Sequence, residues 1–123
     1  MNQILWIAIG GALGAVLRYL MVMGVANLFP FDFPLPTLLV NIIGSFAIGA
    51  LFAACSGASN LMETIKPFVI IGLLGGFTTF SSYSMESIIL FQKSEIVKAF
   101  SYIILSNIVG ISAAWFGFKL FEA

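Results

Sequence analysis

Histidine is absent from the 123-residue chain and cysteine occurs once. Charge is scarce: five Lys plus Arg face five Asp plus Glu, and charged residues make up 8% of the sequence. Without histidine there is no imidazole base, no His-ligated metal and no c-type haem attachment. A lone Cys55 excludes an internal disulfide and a thiolate metal cluster, and is expected to be inert packing. No nucleophile–base pair and no nucleotide-binding motif is visible. The chain is therefore read as neither an enzyme nor an energy-coupled pump, and nucleic acid is not among its expected partners. The shortage of charge matters most, because soluble domains carry about 25% charged residues. A chain this short buries only about two-thirds of its surface on folding. With 61% hydrophobic residues, a soluble form would expose large apolar patches.

Long hydrophobic runs are what the sequence has in quantity. A helix that spans the bilayer needs about 20 apolar residues. The length allows four such spans in a single transmembrane domain (1–123), with short loops and no second domain. The expected spans are about 4–27, 37–55, 67–91 and 99–120. No Lys or Arg precedes Leu5, so the first segment is expected to be a retained span rather than a signal peptide. Between the first two spans, Phe29-Pro30-Phe31-Asp32-Phe33-Pro34-Leu35-Pro36 is expected to be non-helical, because three prolines remove donors. Its aromatics suit a membrane–water interface. Ser56-Gly57-Ala58-Ser59-Asn60 reads as a loop, and Pro67 suits the first turn of the third span.

Small residues recur at helical spacing. Gly10 and Gly14 are four apart, as are Gly11 and Ala15, and the fourth span carries Ser106, Gly110, Ala113 and Gly117. Such spacing lets helix backbones approach closely in lipid.

Orientation follows Lys and Arg in short loops. Four spans put Lys66 and Lys119 on one side and Lys93 and Lys98 on the other, while Arg18 lies within the first span. With the bias close to zero, the chain is expected to insert both ways round and to pair as an antiparallel, dual-topology dimer. The alternative is one fixed orientation with a different partner.

Polar groups inside a membrane are costly and usually face a partner or a wet cavity. They gather in the third span as Thr78, Thr79, Ser81, Ser82, Ser84 and Glu86, with Asn41 in the second span and Arg18 in the first. Two adjacent glycines, Gly75-Gly76, weaken a helix by about 1 kcal/mol each. They mark either a broken helix near the span's centre or a packing notch. Freed carbonyls at a break suit a cation and freed N–H groups suit an anion. Phe80 and Tyr83 share a helix face. Their ring edges, which carry partial positive charge, either pack or face an anion. Asn41 is an amide donor or helix–helix glue. Arg18 attracts anions at a pore mouth or extends to the interface. Glu86 is expected to bond hydroxyls or Arg18.

These residues resemble a known family. Gly10-Gly11-Ala12-Leu13-Gly14-Ala15-Val16-Leu17-Arg18-Tyr19 and Thr37-Leu38-Leu39-Val40-Asn41-Ile42-Ile43-Gly44-Ser45-Phe46 carry the first two motifs. The third is Gly72-Leu73-Leu74-Gly75-Gly76-Phe77-Thr78-Thr79-Phe80-Ser81-Ser82-Tyr83-Ser84-Met85-Glu86. Over nearly its whole length the chain resembles the Fluc (CrcB-type) fluoride channels of bacteria and archaea. The resemblance implies an all-α multi-pass protein of the inner or plasma membrane, acting as an antiparallel homodimer with two fluoride pathways and passive export of cytoplasmic fluoride. It implies a structural Na⁺ held by the backbone carbonyls of Gly75 and Thr78 from both subunits. Phe80 and Tyr83 would face each pathway, with Asn41 and Arg18 at the vestibule and Thr79, Ser81 and Glu86 along a polar track. Two positions depart from the family pattern. Tyr83 stands where Phe is usual, and Gly110 is followed by Ile111 with Ser112 next, where a serine commonly follows the glycine directly.

A proton-coupled exporter similar to the small multidrug resistance transporters is the alternative. It requires a carboxylate in the first span, which carries Arg18 and no acid. A non-transporting assembly subunit is a third reading, opposed by the polar run in the third span.

Overall fold

A polypeptide in lipid must satisfy its backbone polar groups internally, and long apolar runs do so as helices. The computed structural model describes residues 2–57, 60, 63 and 65–122, which form only helices and their connecting turns. α1 runs Asn2–Leu28 and α2 Leu35–Ala54. α3 is a π-helical stretch, Lys66–Leu74, closed by one α turn, Gly75–Phe77. α4 is Phe80–Gln92 and α5 is Ile96–Phe121. Taken as one span, α3 and α4 cover Lys66–Gln92. Among the described residues, four helices are then long and apolar enough to cross a membrane.

Two helix pairs make the fold. α1 packs along α3, and α2 packs along α5 in the most extensive interface of the chain. Both seams are built on glycine, because side chains would hold the backbones apart. A methyl group added at Gly14 would lie 2.9 Å from the Phe77 amide nitrogen and closer still to the Leu73 carbonyl. One added at Gly76 would lie 2.5 Å from the Gly11 carbonyl. On the other seam, Gly49 meets the Ala114 backbone and Gly117 meets the backbone of Phe46 and Ala50.

The side-chain core sits at one end of the bundle. Leu38, Leu90, Ala99 and Tyr102 are buried together, with Phe33, Leu35, Ile42, Tyr83 and Phe91 packed around them. The loop between α1 and α2 closes over this end. Lys98 Nζ lies 3.1 Å from Asp32 and 3.2 Å from Glu95. Hydrogen bonding and charge from Lys98 hold the Asp32 carboxyl below its ordinary pKa. The pair is exposed to solvent, so it orients the loop more than it stabilises the fold.

Much of the remaining surface is apolar. Exposed side chains include Leu13, Leu20, Ile108, Ile111 and Trp115. The chain exposes 7651 Å², against about 6,400 Å² expected for a compact soluble chain of its mass. The many large apolar side chains on that surface suit lipid or another chain.

Three local expectations are corrected. Leu35 and Pro36 are helical, because proline in the first turn of a helix gives up an N–H that has no intrahelical partner there. Asn60 is helical rather than part of the loop, whereas Ser56 and Gly57 form a turn. Ala58 and Ser59 of that expected loop lie outside the described residues. The break in the third span does not fall on the glycine pair. Gly75 is helical at φ −62°, ψ −40°, and Gly76 is the notch that admits α1.

The seams predict a contrast between two glycines of α1. Gly14→Leu should destabilise the detergent-purified protein by about 3 kcal/mol through overpacking. Gly24 has nothing within 4 Å of an added methyl, so Gly24→Ala should be neutral or stabilising by up to about 1 kcal/mol. Thermal melting checks both, and a Gly14→Leu protein that melts like the wild type would contradict the packing described.

Candidate functional site

The third span breaks at two consecutive threonines. Thr78 has φ −83°, ψ 155° and Thr79 has φ −148°, ψ 118°, both extended. An extended pair inside a span strands backbone groups that lipid cannot satisfy. The side chain of Asn41 on α2 satisfies two of them. Its Nδ2 donates to the Thr79 carbonyl at 3.0 Å, and its Oδ1 accepts from the Thr79 N–H at 2.8 Å. The Thr79 N–H is the helical donor that the Gly75 carbonyl would otherwise receive. Thr78 closes α3, its N–H and Oγ1 both donating to Leu74 O at 3.0 and 2.9 Å. Thr79 opens α4 as its N-cap, its Oγ1 accepting from the Ser82 N–H at 3.1 Å. Gly44 on α2 leaves room for the Thr78 methyl group.

Around the break lies a pocket of about 330 Å³. Its polar lining is Asn41, Ser45, Thr78, Thr79, Tyr83, Ser106 and Asn107, with Phe80 and Gly75 beside them. No lining residue is charged. Ser106 Oγ is buried without a hydrogen-bond partner among the described residues. Amides and hydroxyls supply neutral donors, and the exposed Gly75 backbone supplies a carbonyl. Phe80 is 77% exposed in the single chain. Its ring meets Tyr83 edge-on at 5.4 Å, and Tyr83 meets Tyr102 at 5.3 Å.

A second polar group lies one and a half turns further along α4. Glu86 accepts from Thr37 Oγ1 at 3.0 Å and from Tyr102 Oη at 2.8 Å. These hydroxyls, rather than Arg18, are its partners. Glu86 also lines a cleft of about 210 Å³ with Asp32, Pro34 and Lys93, towards the end of the bundle closed by the α1–α2 loop.

Of the residues singled out from the sequence, Asn41, Gly75, Thr78, Thr79, Phe80 and Tyr83 share the pocket at the break. Ser81 joins through its hydroxyl, 3.3 Å from Thr79 Oγ1. Glu86 lines the second cleft, while Arg18 on α1 and Ser112 on α5 line neither. The sequence reading leaves Asn107, Tyr102 and Thr37 without a role. Asn107 Nδ2 donates to Tyr83 Oη at 2.9 Å and to Ile103 O at 2.8 Å. An amide in an apolar span is a signal in itself, here masked by the small-residue spacing of the same helix.

A protein-family model described as CrcB-like protein, Camphor Resistance (CrcB), matches residues 5–118. The chain belongs to the CrcB-like family. The CrcB-like relatives include a protein of Shewanella halifaxensis, 43% identical over 120 residues, covering 98% of this chain and 96% of its own length. One of Shewanella woodyi is 44% identical with the same coverage. One of Flavobacterium psychrophilum is 42% identical over 117 residues, covering 95% of this chain and 94% of its own. All three are named fluoride-specific ion channel FluC. These names describe a channel, not an enzyme.

The Asn41 pair makes a local prediction. Asn41→Leu leaves the Thr79 N–H and C=O without partners, at a cost of about 2 kcal/mol or more. Hydrogen–deuterium exchange should then speed up in peptides covering 76–82 while those of α1 stay protected. Unchanged exchange at Thr79 would show that another group can satisfy the break.

Proposed function

We propose that this multi-pass membrane protein is a fluoride-selective channel through which cytoplasmic fluoride leaves passively. One observation carries the reading. A charge-free pocket of amides and hydroxyls sits where a span breaks, in a chain whose relatives are named for fluoride.

Fluoride is small and tightly hydrated, so a pathway must replace its water with several donors. Neutral donors bind it weakly enough for release, as conduction requires. Asn41, Thr79 and Ser81 supply donors, and Phe80 and Tyr83 present positive ring edges. Glu86 with Tyr102 and Thr37 continues the polar track towards the Lys93 end. A proton-coupled exporter would need an acid in the pocket, and its lining includes none.

The working unit is an antiparallel homodimer with two pathways, inserted in the inner membrane. The near-even placement of Lys on the two sides and the many large apolar side chains on the surface support it. Arg18 and Ser112 enter the pathway only if the second copy brings them to the pocket. A structural Na⁺ between the two copies would be held by the carbonyls of Gly75 and Thr78. The residues fit such an ion: the Gly75 carbonyl has lost its helical donor to Asn41, and hard cations favour oxygen ligands. When bound, the ion would supply fixed positive charge between the pathways.

Liposomes holding only the purified chain test the channel. With a potassium ionophore, fluoride should leave rapidly and chloride negligibly, and Phe80→Ile should abolish release. A silent wild-type protein would favour a subunit that needs a partner. The dimer is tested separately with Ser94→Cys in a Cys55→Ser background. Membrane-impermeant maleimide should label it from both sides of the membrane, and labelling from one side only would rule out dual topology. Replacing sodium with choline should lower the melting temperature of the dimer, and equal melting in both buffers would count against the sodium site.

A further inference from the structure

The hydrogen bonds at Asn107 assign the Tyr83 hydroxyl oxygen as an acceptor. Amide nitrogen and oxygen are hard to tell apart by position alone. Here chemistry decides between them. One terminal atom of Asn107 lies 2.8 Å from the Ile103 carbonyl oxygen and 2.9 Å from Tyr83 Oη. A carbonyl oxygen only accepts, so that atom is the nitrogen. Both of its N–H groups are then used, and Tyr83 Oη accepts one of them. The tyrosine hydroxyl is therefore an acceptor towards α5 and keeps its own O–H to donate. Among the described residues no acceptor takes it. Glu86 is bonded instead by Tyr102 Oη and Thr37 Oγ1, and Tyr83 Oη makes no hydrogen bond to it. Tyr83 and Asn107 both line the pocket at the break, as do Asn41 and Phe80.

We infer that Asn107 is a positioning residue that orients the Tyr83 hydroxyl as a direct hydrogen-bond donor to the anion in the pocket. The inference rests on the channel reading and goes further, by adding a strong donor to a face otherwise made of ring edges. A phenylalanine at position 83 offers only its weakly positive rim. A phenol held by its oxygen offers an O–H with little freedom left to lose on binding. Fluoride is the strongest hydrogen-bond acceptor among the halides, so it gains most from that donor.

Calorimetric titration of fluoride into the detergent-purified full chain tests this, with thermal melting to show that each variant is folded. Tyr83→Phe should weaken fluoride binding about ten-fold, the loss expected for one hydrogen bond to a charged acceptor. Asn107→Leu, which leaves the hydroxyl present but loose, should weaken it about three-fold. In the Tyr83→Phe background Asn107→Leu should change nothing further, a coupling that a purely structural role would not produce. Asn107→Asp serves as a second, near-isosteric variant. Its carboxylate accepts the Tyr83 proton, so binding should fall at least as far as in Tyr83→Phe. Wild-type affinity in Tyr83→Phe or in Asn107→Asp overturns the inference. So does an Asn107→Leu effect that persists without the hydroxyl. Wild-type liposomes that release no fluoride overturn the channel reading and this inference together. Wild-type release alongside unchanged binding in Tyr83→Phe overturns the inference alone.

Discussion

The paired hydrogen bonds between the Asn41 amide and the Thr79 backbone support everything else at the centre of this molecule. A span can break in lipid only if the stranded N–H and C=O groups find partners. One side chain, standing on a different helix, supplies a donor and an acceptor in the geometry of a backbone ladder. Because Thr79 is held there, its hydroxyl is free to cap α4, and α4 starts with Phe80 and Tyr83 towards the pocket. Because its N–H is taken, the Gly75 carbonyl is released from the helix. The polarity of the pocket is thus a by-product of how the break is repaired.

Around this repair the chain relies on backbone proximity more than on a side-chain core. In lipid there is little hydrophobic gain in bringing helices together, so close van der Waals contact has to supply it. The glycine seams of α1 with α3 and of α2 with α5 do this, and Tyr102 and Val40 are the only large side chains that are fully buried among the described residues. The apolar side chains are left pointing outward, where lipid or a second copy can meet them.

What the sequence made legible was periodic or compositional. Four apolar runs and the spacing of Gly10 and Gly14 carry information that repeats along a helix, so they could be read without knowing the fold. Thr78 and Thr79 could not be read as the break. Gly75-Gly76 signals a soft helix, but the position of the break is chosen by a partner 38 residues away. The helical start at Leu35-Pro36 is hidden in the proline run, because proline forbids the middle of a helix but tolerates its first turn. The link between Asn107 and Tyr83 spans 24 residues and rests on single atoms, which no periodic pattern reports. The same holds for the grip of Tyr102 and Thr37 on Glu86.

The π-helical stretch Lys66–Leu74 leaves no trace in composition either, yet it governs angle. Each α-helical residue advances the chain by about 100° around its axis. A stretch bonded five residues back, as Gly75 N–H is to Ile70 O, takes more residues to complete each turn. It therefore acts as a rotational offset built into the chain, ahead of the break. Gly72 within the stretch and Gly76 just after it meet α1, while Gly75 and Thr78 line the pocket. In a bundle whose loops are short, azimuth cannot be corrected from outside the span. The third span carries its own correction, which decides which way its centre faces.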